Sequence, residues 1–319
     1  MTTSSTPLEP RENRRAWLML IVITMLTTAG MTVVLPVLPF VVLRYLPDHS
    51  DLALWVGVLE TVNALCAFIV APLLGRISDR YGRRPVIILA GFGAATGYLL
   101  FGIGGSIGML LLGRVIQGIT AGDLPALFAY LADITPPEKR ARRFGLLGAL
   151  SGIGTMVGPA AGGLLASIDV DLPVFVTAGI AAVIAVLSSF LLPESLPREK
   201  RVARLDLTAL HPFAVFRDVF RRPELRSLMV GLLLVGIPFG FFVNNFSVLG
   251  LDAIGWDATA IGLLTAAVGI IDIVIQGWLL GVLLPRIGER GVIVSGIVAQ
   301  AAGMIALAVL ASLFAQPWL

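Results

Sequence analysis

An acid set among arginines is the first arrangement in this chain that could do chemistry. Asp79 stands in the run Gly75-Arg76-Ile77-Ser78-Asp79-Arg80-Tyr81-Gly82-Arg83-Arg84, between two long apolar stretches. Gly82 permits a tight turn, and the arginines suit anionic headgroups. Asp79 is placed to pair with an arginine or a helix N-terminus in one conformation and to release it in another. A basic topogenic loop with an incidental acid is the plainer alternative. A worn second copy favours a gate. Gly75, Arg80, Gly82, Arg84, Val86 and Ile87 recur at the same spacing as Gly281, Arg286, Gly288, Arg290, Val292 and Ile293, with Pro285 for the acid and Glu289 for Arg83.

Other chemistry-bearing residues lie inside apolar sequence. Arg114 and Gln117, in Gly113-Arg114-x-x-Gln117-Gly118, share one helix face at i, i+3. A buried arginine is costly and faces a polar cavity or a carboxylate, unless it snorkels to the nearer surface. Asp123 follows in the same stretch; on a straight helix it points to the opposite face from Arg114, although Pro125 can bend the local geometry. Glu60 and Asp272, with Gln276 one turn beyond Asp272, complete the set. Such carboxylates are proton-relay or cation-site candidates, with structural polar contacts between helices as the competing reading. Gly154, Gly158 and Gly162 form a bare stripe at i, i+4, i+8, with Pro159 and Gly163 beside it. The stripe admits a neighbouring backbone, and Pro159 permits a bend.

The elements that must position these residues are membrane spans. The chain is 57% hydrophobic and only 13% charged, with a mean hydropathy of +0.94, against roughly 25% charged in soluble domains. A single cysteine, Cys66, excludes an internal disulfide framework, and His49 and His211 are too few for a metal cluster. No cofactor is expected and no enzyme; the basic balance reads as topology and not as nucleic-acid binding. Nine apolar spans are expected, near 17–43, 52–74, 86–104, 107–131, 144–167, 173–192, 227–249, 258–280 and 291–315. Residues 1–15 read as a cytosolic lead and not a cleaved signal peptide. All arginines and lysines except Arg44 and Arg114 fall in that lead or in alternate loops, while Asp48, Asp51, Asp169, Asp171, Asp252 and Asp257 occupy the opposite ones. Positive-inside then puts the N-terminus in the cytosol.

The organisation expected is an all-α polytopic protein: a tail over 1–15, a six-helix bundle over 16–192, a polar linker over 193–226 and three helices over 227–319. In the linker Phe213, Phe216 and Phe220 suit either an interfacial helix or a bland connection. The repeat acts as a ruler. A second half equal to the first needs roughly 80 further residues and three more spans.

These residues resemble the major facilitator superfamily. Gly75 to Arg84 matches its motif A, Arg114-x-x-Gln117-Gly118 resembles its motif B, and Gly154-x-x-x-Gly158-Pro159-x-x-Gly162-Gly163 matches the motif C of twelve-helix drug:proton antiporters. Leu192-Pro193-Glu194-Ser195 is similar to the usual close of the sixth helix. The tetracycline-efflux-like branch is suggested by GRISDRYGRRPVI and by Leu131 to Ala149. The resemblance implies that Asp79 and Arg83 hold a cytosolic gate, that Arg114 serves proton coupling, and that Gly158-Pro159 forms the antiporter bend. It implies a monomer in a bacterial plasma membrane whose partners are a small-molecule substrate, protons and lipid. Tetracycline exporters of that branch carry intramembrane aspartates where this chain has Thr27, Gly97 and Gln300, so Glu60, Asp123 or Asp272 has to supply the protonatable group. The expected function is proton-coupled efflux of a small amphipathic compound. A metabolite importer or uniporter of the same fold, or a non-transporting membrane remnant, are the alternatives.

Overall fold

The computed structural model describes residues 10–47, 49–202 and 220–314. Among these, every regular element is helical: α1 Pro10–Val33, α2 Leu38–Leu43, α3 Leu52–Tyr81, α4 Arg83–Ile103, α5 Ile107–Thr120, α6 Asp123–Ile134, α7 Pro137–Ala166, α8 Leu172–Leu191, α9 Pro223–Ile254, α10 Ala258–Val274 and α11 Leu280–Phe314. A π turn, Ile275–Leu279, joins α10 to α11. Local chemistry sets the helix starts and stops. Ser106 Oγ accepts the N–H of Met109 at the head of α5, and Asp257 caps α10 through Ala260. Gly255, at φ 74°, closes α9 with Trp256 N–H donating to the Gly250 carbonyl at 2.9 Å.

Six spans form the N-terminal bundle, with α5 and α6 together making the fourth. Two buried clusters hold it. One gathers Val37, Val41, Leu52, Leu59, Phe101 and Leu110 at the end bearing the acidic loops. The other gathers Leu20, Val86, Leu127, Tyr130, Leu131 and Leu147 at the arginine-rich end. After the linker come α9, bent by 41° between Leu228–Val243 and Asn245–Asp252, then the shorter α10 and the long α11. The halves meet where α7 packs on α10: Thr259 Oγ1 donates to the Gly163 carbonyl at 3.0 Å. A second contact is Ser247 Oγ donating to the Leu35 carbonyl at 3.0 Å.

Three boundaries differ from expectation. Helix α1 begins at Pro10, so part of the anticipated tail is helical, and α9 begins at Pro223, inside the anticipated linker. The first span breaks after Val33 and resumes as α2 over Leu38–Leu43, because Pro36 and Pro39 interrupt the ladder. Residues 213 and 216 of the anticipated interfacial helix lie outside the described residues. The repeat seen in sequence has a backbone counterpart. Gly82 separates α3 from α4 at φ 114°, ψ 165°, and the matching Gly288 sits at φ 67°, ψ 172° within α11. Both conformations favour glycine, which explains why this residue survives in a copy that has lost its acid.

Candidate functional site

Asp79 lies in the last turn of α3, and Gly82 turns the chain straight into α4. Arg83 reaches back so that its Nη1 binds Asp79 Oδ1 at 2.5 Å and Ser78 Oγ at 3.1 Å, while Nε binds Asp133 Oδ2 at 3.2 Å. One guanidinium therefore ties α3, α4 and the last turn of α6. The head of α4 has no side-chain cap of its own. Instead Glu194 presents its carboxylate, Oε1 accepting the Arg83 N–H at 2.8 Å and Oε2 the Arg84 N–H at 3.3 Å. An anion at a helix N-terminus satisfies orphan donors and complements the dipole. A Cβ on Gly82 would run into that carboxylate. Arg84 extends to the carbonyls of Ser188 and Ser189 at the end of α8. Ser195 Oγ donates to Asp133 at 3.0 Å. Arg80 lies over the Tyr81 ring, its Cζ 5.3 Å from the centroid. Asp133 and Glu194 fall inside the matched segments, yet sequence reasoning singles out neither. The signal available is two acids at the ends of α6 and α8 opposite an arginine pair.

At mid-depth the fourth span is not straight. The helical ladder stops at Thr120, Ala121 takes ψ 75°, and α6 restarts at Asp123. The straight helix on which Arg114 and Asp123 would face opposite ways is therefore absent, and the break at Ala121–Gly122, ahead of Pro125, leaves both lining one cavity of about 180 Å³. Arg114 does not snorkel. It is 6% exposed, and its Nη2 pairs with Glu60 Oε1 across to α3 at 2.7 Å. Nη1 donates to Gln117 Oε1 at 3.0 Å, the guanidinium lies 5.0 Å from the Phe101 centroid, and Asn63 Nδ2 donates to the Arg114 carbonyl at 3.1 Å. Two donors remain unsatisfied: Arg114 Nε and Gln117 Nε2 are buried without a partner among the described residues. Asp123 Oδ1 accepts the Leu124 N–H at 2.9 Å. The same cavity is walled by Thr27, Asn63, Tyr98 and Thr177, with apolar side chains mainly of α1, α4 and α8 beside them.

Glu60 also faces the other way, into an open space of about 890 Å³ between α3 and α9 that is bounded by Phe241 and Asn245 of the C-terminal half. The structure thus groups Glu60, Arg114, Gln117 and Asp123. Asp272 is on α10, exposed and outside this group, and Gln276 lies in the π turn. Of the three positions matched to exporter aspartates, Thr27 lines the cavity and Gln300 donates to the Val235 carbonyl at 3.2 Å. At Gly97 a Cβ would meet Gln117 Cγ at 2.5 Å and the Gly113 carbonyl at 2.7 Å. The close α4–α5 contact that seats Gln117 leaves no room there for a carboxylate.

The glycine stripe forms two seams. A Cβ on Gly154 or Gly158 would meet the carbonyls of Met25 or Ala29 on α1, at 2.7 and 2.6 Å. Gly162 abuts the Val33 carbonyl, and Gly163 faces Ala258 and Gly262 on α10. Helix α7 is therefore in backbone contact with α1 on one side and with the C-terminal half on the other. Pro159 lies inside α7 between the seams.

A helical bundle of this hydropathy, with a buried Arg–Glu pair beside a space between two halves, defines a polytopic transporter fold. The sequence profile of the Major Facilitator Superfamily matches residues 20–319, and the chain belongs to that family. It is 35% identical over 283 residues to the class C tetracycline resistance protein of Escherichia coli, covering 89% of this chain and 71% of that protein. To the class H tetracycline resistance protein of Pasteurella multocida it is 32% identical over 294 residues, covering 91% and 72%. Among solved structures, the human organic anion transporter MFSD10 (TETRAN) superposes with a TM-score of 0.66 at 25% identity, covering 89% of this chain and 74% of that one.

Proposed function

We propose that this protein exports a small amphipathic compound across a bacterial plasma membrane in exchange for protons, with its N-terminus in the cytosol. The observation that carries the reading is the Glu60–Arg114 ion pair, placed on the wall between the inter-half space and a cavity inside the N-terminal bundle. A charge pair costs several kcal/mol to bury, and ionisable residues at membrane depth mark ion and substrate pathways. The relatives' names supply the substrate class, and tetracycline is the first compound to try. Protonation of a carboxylate in the pair frees Arg114, and the halves rock about the α7 seams. At the arginine-rich, cytosolic end, Arg83 holds Asp79 and Asp133 in one state and releases them in the other. Importers and uniporters of the same fold have no observation in their favour here.

Everted membrane vesicles from an efflux-deficient host, energised and given tetracycline, test this directly. Uptake that collapses when a protonophore dissipates the proton gradient is expected. Uptake that survives the protonophore overturns the coupling, and uptake no greater than in vesicles lacking the protein overturns tetracycline as substrate.

A further inference from the structure

Three spaces share walls, two inside the N-terminal half and one between the halves. The open space between α3 and α9 meets the inner cavity at Glu60. The inner cavity meets a third one, of about 220 Å³, at Ala121. That third cavity is lined by Gly122, Asp79 and Arg83, and so lies beside the arginine-rich turn. The shared residue Ala121 belongs to the interruption between α5 and α6. Non-helical backbone at membrane depth persists where it is covered by protein or lines a wet cavity. Here it lines two.

We propose that protons cross this protein through the N-terminal half alone, from Glu60 to Asp123 and out beside Asp79, with Asp123 as the group that holds the proton between the two sides. The proposal rests on the proton-coupled reading above and names its route. Two observations converge on the inner cavity. Asp123 opens α6 there with no ion pair among the described residues, and the start of α6 favours the return of its negative charge. Independently, Arg114 Nε and Gln117 Nε2, on residues 6% and 8% exposed, are donors without an acceptor, and both residues line that cavity. An acceptor inside it, water or a carboxylate, is what they lack.

The groups facing Asp123 decide how the transfer works. Glu60 comes from α3, Tyr98 from α4 and Arg114 from α5, while α1 and α8 contribute threonines and apolar side chains. Ionised Glu60 holds Arg114. A proton arriving from the inter-half space bonds to a Glu60 carboxylate oxygen, neutralises it and frees the guanidinium. That O–H bond then breaks as the proton passes through water in the inner cavity to Asp123. Glu60 becomes charged again and recaptures Arg114, and Asp123 becomes neutral. Asp123 finally releases the proton to water in the cavity beside Asp79 and Arg83. One proton moves and no electrons do. The Ala121–Gly122 break is the passage between the last two spaces.

The test uses the purified full chain and dicyclohexylcarbodiimide, which modifies carboxyls that are protonated in apolar surroundings. Peptide mass spectrometry locates the adducts from acidic to alkaline pH. Expected is an adduct on Asp123 that disappears as pH rises, together with loss of gradient-driven tetracycline uptake in Asp123→Asn and its return in Asp123→Glu. Absence of an Asp123 adduct at every pH overturns the proposal on the wild-type protein alone, whatever the variants do. Undiminished gradient-driven uptake in Asp123→Asn overturns it as well. If wild-type protein moves no tetracycline but Asp123 labels with that pH dependence, the substrate assignment fails and the route stands.

Discussion

Arg114 is stabilised by one carboxylate, one amide and one ring, each from a different part of the bundle or a different turn, and this concentration makes its neighbours non-interchangeable. Glu60→Gln keeps the shape of the acid but leaves the guanidinium buried without its counter-charge. A loss of about 3 kcal/mol is expected, since removing one partner of a buried pair costs about 3–5 kcal/mol. It is readable as a fall in the thermal midpoint of the detergent-solubilised protein. Glu60→Gln combined with Arg114→Gln should recover most of that loss, because no orphan charge remains. If the double variant is instead as unstable as the sum of the two single ones, the pair is not coupled in this way. Arg83 makes the complementary case at the arginine-rich end. Its fork binds Asp79 and Ser78 through Nη1 and Asp133 through Nε, and a lysine offers one point charge in place of that geometry. Arg83→Lys is expected to lower tetracycline uptake while leaving expression intact; wild-type uptake would remove the fork from the gate.

At the level of whole helices, glycine decides which backbones touch. Gly158→Leu inserts a side chain where the Ala29 carbonyl stands 2.6 Å from the added Cβ, so α1 and α7 must separate. Overpacking of this kind costs about 1–3 kcal/mol, and the bend at Pro159 loses its support. Transport should be lost with the protein still in the membrane, as judged by uptake and immunoblot on the same vesicles. The glycine stripe is readable from letters because i, i+4, i+8 places three residues on one helix face whatever the partner is. Pairing Glu60 with Arg114 is not readable, since residues on α3 and α5 have no local pattern linking them. Nor is the face of Asp123. Its orientation depends on Ala121 at ψ 75°, a backbone state that no propensity announces two residues before Asp123. Gly97 adds a separate lesson. Gly97→Asp would place an aspartate where tetracycline exporters carry one, yet Gln117 and the Gly113 carbonyl occupy the space. Destabilisation is expected from it, not improved export.

Across the whole molecule, charge is divided between two ends. Arg83, Arg84, Arg140 and Arg143 gather at one end, where Arg140 also reaches the carbonyls of Ala132 and Thr135. At the other, Arg44 is held by Asp171 at 2.5 Å, so one of the two cations off the basic side is neutralised in place. Orientation follows as a prediction. On a Cys66→Ser background, a membrane-impermeant maleimide added to intact cells should label Asp169→Cys and not Lys139→Cys. The reverse pattern would invert the molecule and with it the direction assigned to transport. Charge segregation of this sort is legible in the letters alone, as is the duplication that Gly82 and Gly288 share. The walls between the cavities are not, because the residues that the cavities share, Glu60 and Ala121, are distant in sequence and meet only in the fold.

The carboxylate that caps α4 has a further consequence, and it concerns biosynthesis. Glu194 is supplied 111 residues after the N–H group it receives from Arg83. While the chain is being made, the α3–α4 turn enters the membrane boundary with the first amides of α4 still bonded to water. Arg84 likewise waits for carbonyls at the end of α8. Insertion of the first three spans therefore leaves the head of α4 uncapped, with only the local contacts of Arg83 to Asp79 and Ser78 available to hold the turn. The cap forms only when the sixth span has been threaded and its end has come back alongside, so the head of α4 is the part of the N-terminal bundle that is completed late.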